Sequence, residues 1–163
     1  MRLATAVAVL TLVCAAPAAA DDGRLNWPLR PRPAVLRAFD APSPNWQRGH
    51  RGVDLAAVPD QPVYAAGEGT VVFAGDLAGR PVVSVAHPGG LRTSYEPVIA
   101  AVQRGQSVSA GAPLGEVVAG HDGCPARACL HWGAMWGPAA NADYVDPVGL
   151  LDTTAIRLKP LHG

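Results

Sequence analysis

The sequence predicts an all-β fold, an antiparallel sheet or sandwich of short strands. Three observations predict it. Apolar residues recur in short alternating runs of about four to seven residues. Glycine, 18 of the 163 residues, interrupts those runs repeatedly, as turns between strands require. No stretch beyond a turn or two keeps the 3.6-residue apolar period of a helix.

The elements follow in chain order. Residues 1–20, MRLATAVAVLTLVCAAPAAA, carry one arginine near the start, an apolar run, and a small-residue ending at Ala18-Ala19-Ala20. That is the pattern of a cleaved secretory signal. The run falls short of the roughly 20 residues that span a bilayer, so no stable membrane insertion is expected after cleavage. Thr11-Leu12-Val13 lacks the small residue expected just ahead of a lipidated Cys14. The mature protein is expected to begin near Asp21 and to work outside the cytoplasm, in the cell envelope.

Residues 21–45 form a proline-rich lead-in, WPLRPRPAV and then FDAPSPNW. Proline at this density excludes helix and central strand, leaving extended chain with one edge strand over Val35 to Phe39. The main domain is expected over 46–152. PVYAAGEGTVVFAGDLAG predicts two short strands around Gly67-Glu68-Gly69. PVVSVAHPGGLRTSYEPV predicts a hairpin turning at Pro88-Gly89-Gly90. GQSVSAGAPLGEVVAG predicts two more strands, and ACLHWGAM a last one. The domain ends near DPVGLL, with 153–163 as a tail.

Thirteen basic and 13 acidic residues give a formal net charge of +0. Nothing here offers nucleic acid the basic face it would want. Beyond the leader two cysteines remain, Cys124 and Cys129, and an even count in an exported chain favours a disulfide. Half of a zinc site, the alternative, would need two further soft ligands nearby.

Catalytic zinc takes three ligands from His, Asp or Glu and leaves one position to water. GHRGVDL supplies His50 and Asp54, with Gly52 allowing a tight backbone path between them. His131 lies about 80 residues later on a predicted strand. Spacing alone leaves two readings open, a His2Asp metal site or a surface His–Asp pair with a packed core histidine. Alternation places Trp132 on the face opposite His131, in the core. Trp136 either lines a groove or packs at a rim, and Arg51 either meets a substrate carboxylate or is solvated.

The ordered series GHRGVDLA, PVYAAGEGTVVFAG, GGLRTSYEPV, QSVSAGAPLGEV and CLHWG resembles the lysostaphin-type zinc metallopeptidases, from about Trp27 to Leu151. The resemblance implies a duplicated-hybrid-motif-like β fold and one Zn2+ per chain. It implies that His50 and Asp54, from a His-x-Gly-x-Asp motif, and His131, from a His-x-His motif, are the ligands. Two positions depart from it. Cys129 stands where the first histidine of His-x-His usually lies, and Pro97 where a histidine usually closes Thr-x-Tyr-x-His. The groups that could stand in for those histidines are Tyr95, Glu96, His87 and His121. His121 precedes the cysteine loop, which a disulfide would hold beside the site.

Two functions follow as expectations. The first is a secreted zinc metalloendopeptidase acting on peptide cross-links of peptidoglycan. The second is a catalytically degenerate module of the same fold, binding wall peptide or a wall-protein partner that it regulates. The glycine-cut strands also resemble lipoyl and biotinyl carriers, but those need a lysine at a hairpin tip, and the only lysine is Lys159 in the tail.

Overall fold

A computed structural model describes residues 24–44, 47–138 and 141–152. The expected leader over 1–20 and tail over 153–163 lie outside the described residues. Eleven strands run through the rest: β1 (Val35–Arg37), β2 (Val53–Ala57), β3 (Pro62–Tyr64), β4 (Gly69–Leu77), β5 (Arg80–Ala86), β6 (Leu91–Glu96), β7 (Val98–Ala100), β8 (Ser107–Val108), β9 (Pro113–Val117), β10 (Ala128–Trp136) and β11 (Asp143–Val145). Eight of them form one antiparallel sheet in the order β1-β2-β10-β6-β5-β4-β8, with β11 also on β10. A second sheet, β3-β9-β7, is antiparallel as well. The all-β expectation is met.

Alternation explains how the two sheets close on one core. β6 reads LRTSYE with every other residue buried, so Leu91, Thr93 and Tyr95 face inward while Arg92, Ser94 and Glu96 face away. The inward set meets Val53 and Leu55 of β2, Leu130 and Trp132 of β10, and Val83 and Val85 of β5. Val63, Leu114, Val98 and Val117 of the smaller sheet complete the cluster.

The hairpin expected at Pro88-Gly89-Gly90 is present, with a 3-10 turn at Pro88–Gly90 joining β5 to β6. A second hairpin joins β4 to β5 through Ala78 and Gly79, both at positive φ. That is a two-residue connection whose twist matches the strands, and Asp76 Oδ1 accepts from Gly79 N–H at 2.8 Å to close it.

Four features differ from the sequence expectation, one being β7, which follows β6 across Pro97 where no separate strand is expected. The proline-rich segment is extended, with its edge strand at Val35–Arg37, but it is also packed. Leu25 and Leu29 are fully buried, Trp27 lies 6.1 Å from Trp132 ring to ring, and Leu25 bonds Leu150 and Asp152 through the backbone. β2 was not expected as a strand, because Asp54 interrupts its apolar run. Asp54 faces away from the core, so Val53, Leu55 and Ala57 still bury the opposite face. β11 is likewise additional, three residues extending the rim of β10.

Candidate metal centre

β2 and β10 lie side by side with His131 directly opposite Asp54. Counting by twos, β10 sends Cys129, His131 and Gly133 to the face away from the core. His50 approaches from just before β2, where its backbone pairs with Asp40 in both directions, at 2.7 and 2.9 Å. The sheet thus brings together three side chains that are 77 and 81 residues apart or more closely spaced in the GHRGVDL motif.

Three polar atoms converge there. His50 Nε2 lies 2.9 Å from Asp54 Oδ1 and 3.1 Å from His131 Nδ1, and His131 Nδ1 lies 2.9 Å from Asp54 Oδ1. His50 and Asp54 are buried, while the His131 side chain is 20% exposed and forms the open side of the cluster. These three residues could hold a metal ion.

The donor chemistry fits one. His50 Nδ1 donates to the Ala38 carbonyl at 2.7 Å, so in the neutral ring Nε2 carries a lone pair. That lone pair faces a carboxylate oxygen and a second imidazole nitrogen, an arrangement that repels unless a proton or cation lies between them. Two imidazoles and a carboxylate suit zinc. Ligands about 2.0 Å from one tetrahedral ion lie roughly 3.3 Å apart, close to the separations seen. The Ala38 carbonyl is the outer hydrogen-bond partner that fixes ring orientation in such sites.

Gly52 makes the approach possible. A Cβ there would lie 2.5 Å from the Trp132 carbonyl oxygen and 2.7 Å from His131 Nε2. Only a residue without a side chain lets the GHRGVDL segment lie this close to β10.

His121 reaches the same carboxylate from the loop between β9 and β10, its Nε2 3.2 Å from Asp54 Oδ1. Burial of Asp54 would raise its pKa, but hydrogen bonds from His121 and His131, with His50 beside them, more than offset this and hold the carboxyl far below its ordinary range. The same bond to Asp54 raises the pKa of His121, against the opposing effect of burial. A cavity of about 300 Å³ lies alongside, lined by Arg80, Glu96, Pro97 and His121 among others.

The remaining sequence candidates divide by strand parity. Glu96 pairs in register with His131 and lies on the site face, where it bridges Arg80 at 2.8 Å. Tyr95, one residue earlier, points the other way. It is fully buried beside Trp132, accepts from Ala66 N–H at 2.9 Å and hydrogen-bonds Thr93, and burial pushes its pKa up to about 12. Its candidacy as a stand-in for a missing histidine is therefore corrected. His87 is corrected too, since it joins Thr93 and the Glu68 carbonyl on that inner side. Trp132 is core, as alternation predicts, and Trp136 is 38% exposed at the rim. The Arg51 guanidinium donates to the Gln47 carbonyl and lies over the Tyr144 ring.

Cys124 and Cys129 form a disulfide, with their Cα atoms 5.7 Å apart. Cys129 lies two residues before His131 on the same face, so the bond ties the His121 loop to the site face of β10.

The family model described as peptidase family M23 matches residues 48–147, which contain His50, Asp54, His121 and His131. An uncharacterized protein of Mycobacterium tuberculosis (strain ATCC 25618 / H37Rv) is 73% identical over 151 residues, covering 93% of this chain and 61% of its own. This chain thus spans about three fifths of that relative's length. Among solved structures, Helicobacter pylori Csd3 superposes with a TM-score of 0.63 at 27% identity, covering 86% of this chain and 37% of that one. A zinc-containing peptidase from Vibrio cholerae superposes at 0.56 and 25% identity, covering 68% and 36%. With the family model matching residues 48–147 of the 163, the chain belongs to peptidase family M23.

Proposed function

We propose that the protein is an exported zinc metalloendopeptidase that hydrolyses peptide cross-links of peptidoglycan. His50, Asp54 and His131 hold one zinc ion per chain. The observation that carries the reading is the convergence of His50 Nε2, Asp54 Oδ1 and His131 Nδ1 within 3.1 Å of one another, with the His50 tautomer set by Ala38.

Zinc in such a site supplies Lewis acidity, polarising an amide carbonyl and acidifying water. The chain's own residues do the rest. His50 and Asp54 form the buried floor, and His131 forms the accessible wall through which a peptide reaches the cluster. His121 presents a ring nitrogen beside Asp54, the nearest titratable side chain to the cluster outside the ligand set. From that position its imidazole is placed to donate to an oxyanion as it develops on the scissile carbonyl. Glu96 and Arg80 line the adjoining cavity, where a bound peptide finds both signs of charge. A peptide of the cell wall would meet this site outside the cytoplasm, in keeping with the signal-like residues 1–20.

Zinc content of the purified protein and of His131→Ala tests the ligand set, and release of peptide fragments from peptidoglycan tests the reaction. One zinc per chain, lost in the variant, with fragments released only by the loaded protein, is the expected result. Zinc absent from both would overturn it.

Two observations favour a second reading, a wall-binding module that regulates a separate hydrolase. Pro97 offers no side-chain donor, and the Cys129 sulfur is committed to a disulfide. Equal binding of wall peptide with and without zinc, and no hydrolysis, would select that reading.

A further inference from the structure

We propose that the Cys124–Cys129 disulfide is a positioning element of the site, a short tether that holds His121 against the metal-ligand cluster. The proposal rests on the metal-site reading above. It concerns the placement of one imidazole, not the stability of the sheet.

The chain of connections is short at every link. His121 is the first residue of a turn closed by Cys124 N–H donating to the His121 carbonyl at 3.2 Å. Gly123, at φ 75°, takes the left-handed position within that turn. Cys124 then bonds covalently to Cys129. Cys129 is fully buried in β10, opposite Ala56 of β2, and each of these lies two residues from a proposed ligand, His131 and Asp54. From the ring of His121 back to the strands that carry the cluster, one turn and one disulfide account for the whole path.

Without that bond little beyond the contacts of the His121 ring with Asp54, at 3.2 Å, and with the His131 ring, 5.9 Å between centroids, fixes the segment. Residues 119–127 include no strand, and between Val118 and Ala128 the Cys124-to-His121 bond is the one backbone–backbone hydrogen bond among the described residues. Asp122, Gly123, Pro125, Ala126 and Arg127 are exposed. His121 itself is not: its side chain is 16% exposed, turned in toward Asp54. A segment so poor in its own contacts would sample many positions if untethered. The hydrogen bond from His121 to a ligating carboxylate is of the kind whose loss costs about 10–100-fold in metal affinity or activity.

Cys124→Ser breaks the tether while leaving the buried Cys129 side chain in place. It is compared with the oxidised protein, with that protein reduced by a water-soluble phosphine, which offers zinc no thiolate ligands, and with His121→Ala, all zinc-loaded. The readouts are zinc per chain and the ring C–H resonances of the histidines, that of His121 being the one absent from His121→Ala. In the oxidised protein the His121 resonance is expected to move when zinc is removed. In Cys124→Ser and in the reduced protein it is expected at the position of a solvent-exposed histidine, insensitive to zinc, while the His50 and His131 resonances are retained. Hydrolysis is expected to fall about 10–100-fold, to the level of His121→Ala.

A His121 resonance that keeps its position and its response to zinc in Cys124→Ser would overturn the proposal. So would loss of the whole fold by both routes, since the bond would then be a global staple. Failure of the oxidised protein to cleave peptidoglycan would instead count against the hydrolase reading, and the His121 resonance would still decide the tether.

Discussion

Replacing Gly52 with alanine tests the site through a residue that carries no ligand atom. The added Cβ would lie 2.5 Å from the Trp132 carbonyl oxygen, 2.7 Å from His131 Nε2 and 2.9 Å from His131 Cε1, where ordinary contact begins at 3.4 Å. Relieving those overlaps takes displacements of about 0.5–0.9 Å. The imidazole could swing aside, but the carbonyl belongs to the strand backbone, so the seam between β2 and β10 must widen as well. Either movement shifts His131 away from Asp54 and His50. Metal sites hold their ligand distances to about 0.2 Å, so the shift exceeds the tolerance several-fold. Zinc affinity is expected to fall by at least about 100-fold, roughly 2.7 kcal/mol. The zinc-free protein should lose only the 1–3 kcal/mol typical of overpacking. Competition against a chromophoric chelator measures the first quantity, and urea unfolding of the apo form the second. Gly149→Ala is the control, because nothing lies within 4 Å of a Cβ there. Wild-type zinc affinity in a folded Gly52→Ala protein would refute the reasoning, since the cluster could not then depend on close approach of the two strands.

Other expectations follow from the same geometry. His50→Ala and Asp54→Ala should each abolish stoichiometric zinc binding, as read by metal analysis after dialysis, while Arg51→Ala should leave it intact because Arg51 is held by Gln47 and Tyr144. Tyr95 has a folded pKa of about 12 against an ordinary value of 10.0, so its neutral form stabilises the fold fully below pH 10 and this contribution is lost as pH rises through 12. The difference is about 3 kcal/mol, and Tyr95→Phe should remove that slope from alkaline unfolding curves. Opening the disulfide should lower global stability by only about 2 kcal/mol in urea, the chain-entropy value for so short a loop. Trp132→Ala should cost about 3–5 kcal/mol, because the ring is fully buried against Trp27.

Much of the fold was legible because turn chemistry is local. Glycines mark the strand ends from β3 to β9 except at the β6–β7 junction, where Pro97 stands alone, and Pro88-Gly89-Gly90 announces its hairpin. β2 was harder, since its charged residue interrupts the apolar run that betrays a strand. Asp54 is tolerated there because its side of the sheet is the site, and its cost of burial is met by three histidines. The packing of Leu25 and Leu29 was hidden by the prolines around them, which forbid regular structure without forbidding burial. For the site, His-x-x-x-Asp spacing alone left two readings open, and only the order of motifs along the chain joined His131 to it. Tyr95 and Glu96 illustrate what local patterns lack. Adjacent residues on a strand face opposite ways, and the register that sets Glu96 beside His131 is a property of the pairing. His121 was traceable through the cysteines, because a bond to Cys129 fixes the loop on the face that His131 occupies.

The position of β10 has a consequence for when the site comes into being. It is flanked by β2 and β6 and takes β11 at its far end, yet it is nearly the last strand to leave the ribosome. His50 and Asp54 emerge about 80 residues ahead of His131 and, without it, offer a metal only two ligands. On the reading proposed above, ion choice therefore falls to the completed fold. The metal pool that matters is the one surrounding the chain where folding finishes, whatever ions it encountered on the way.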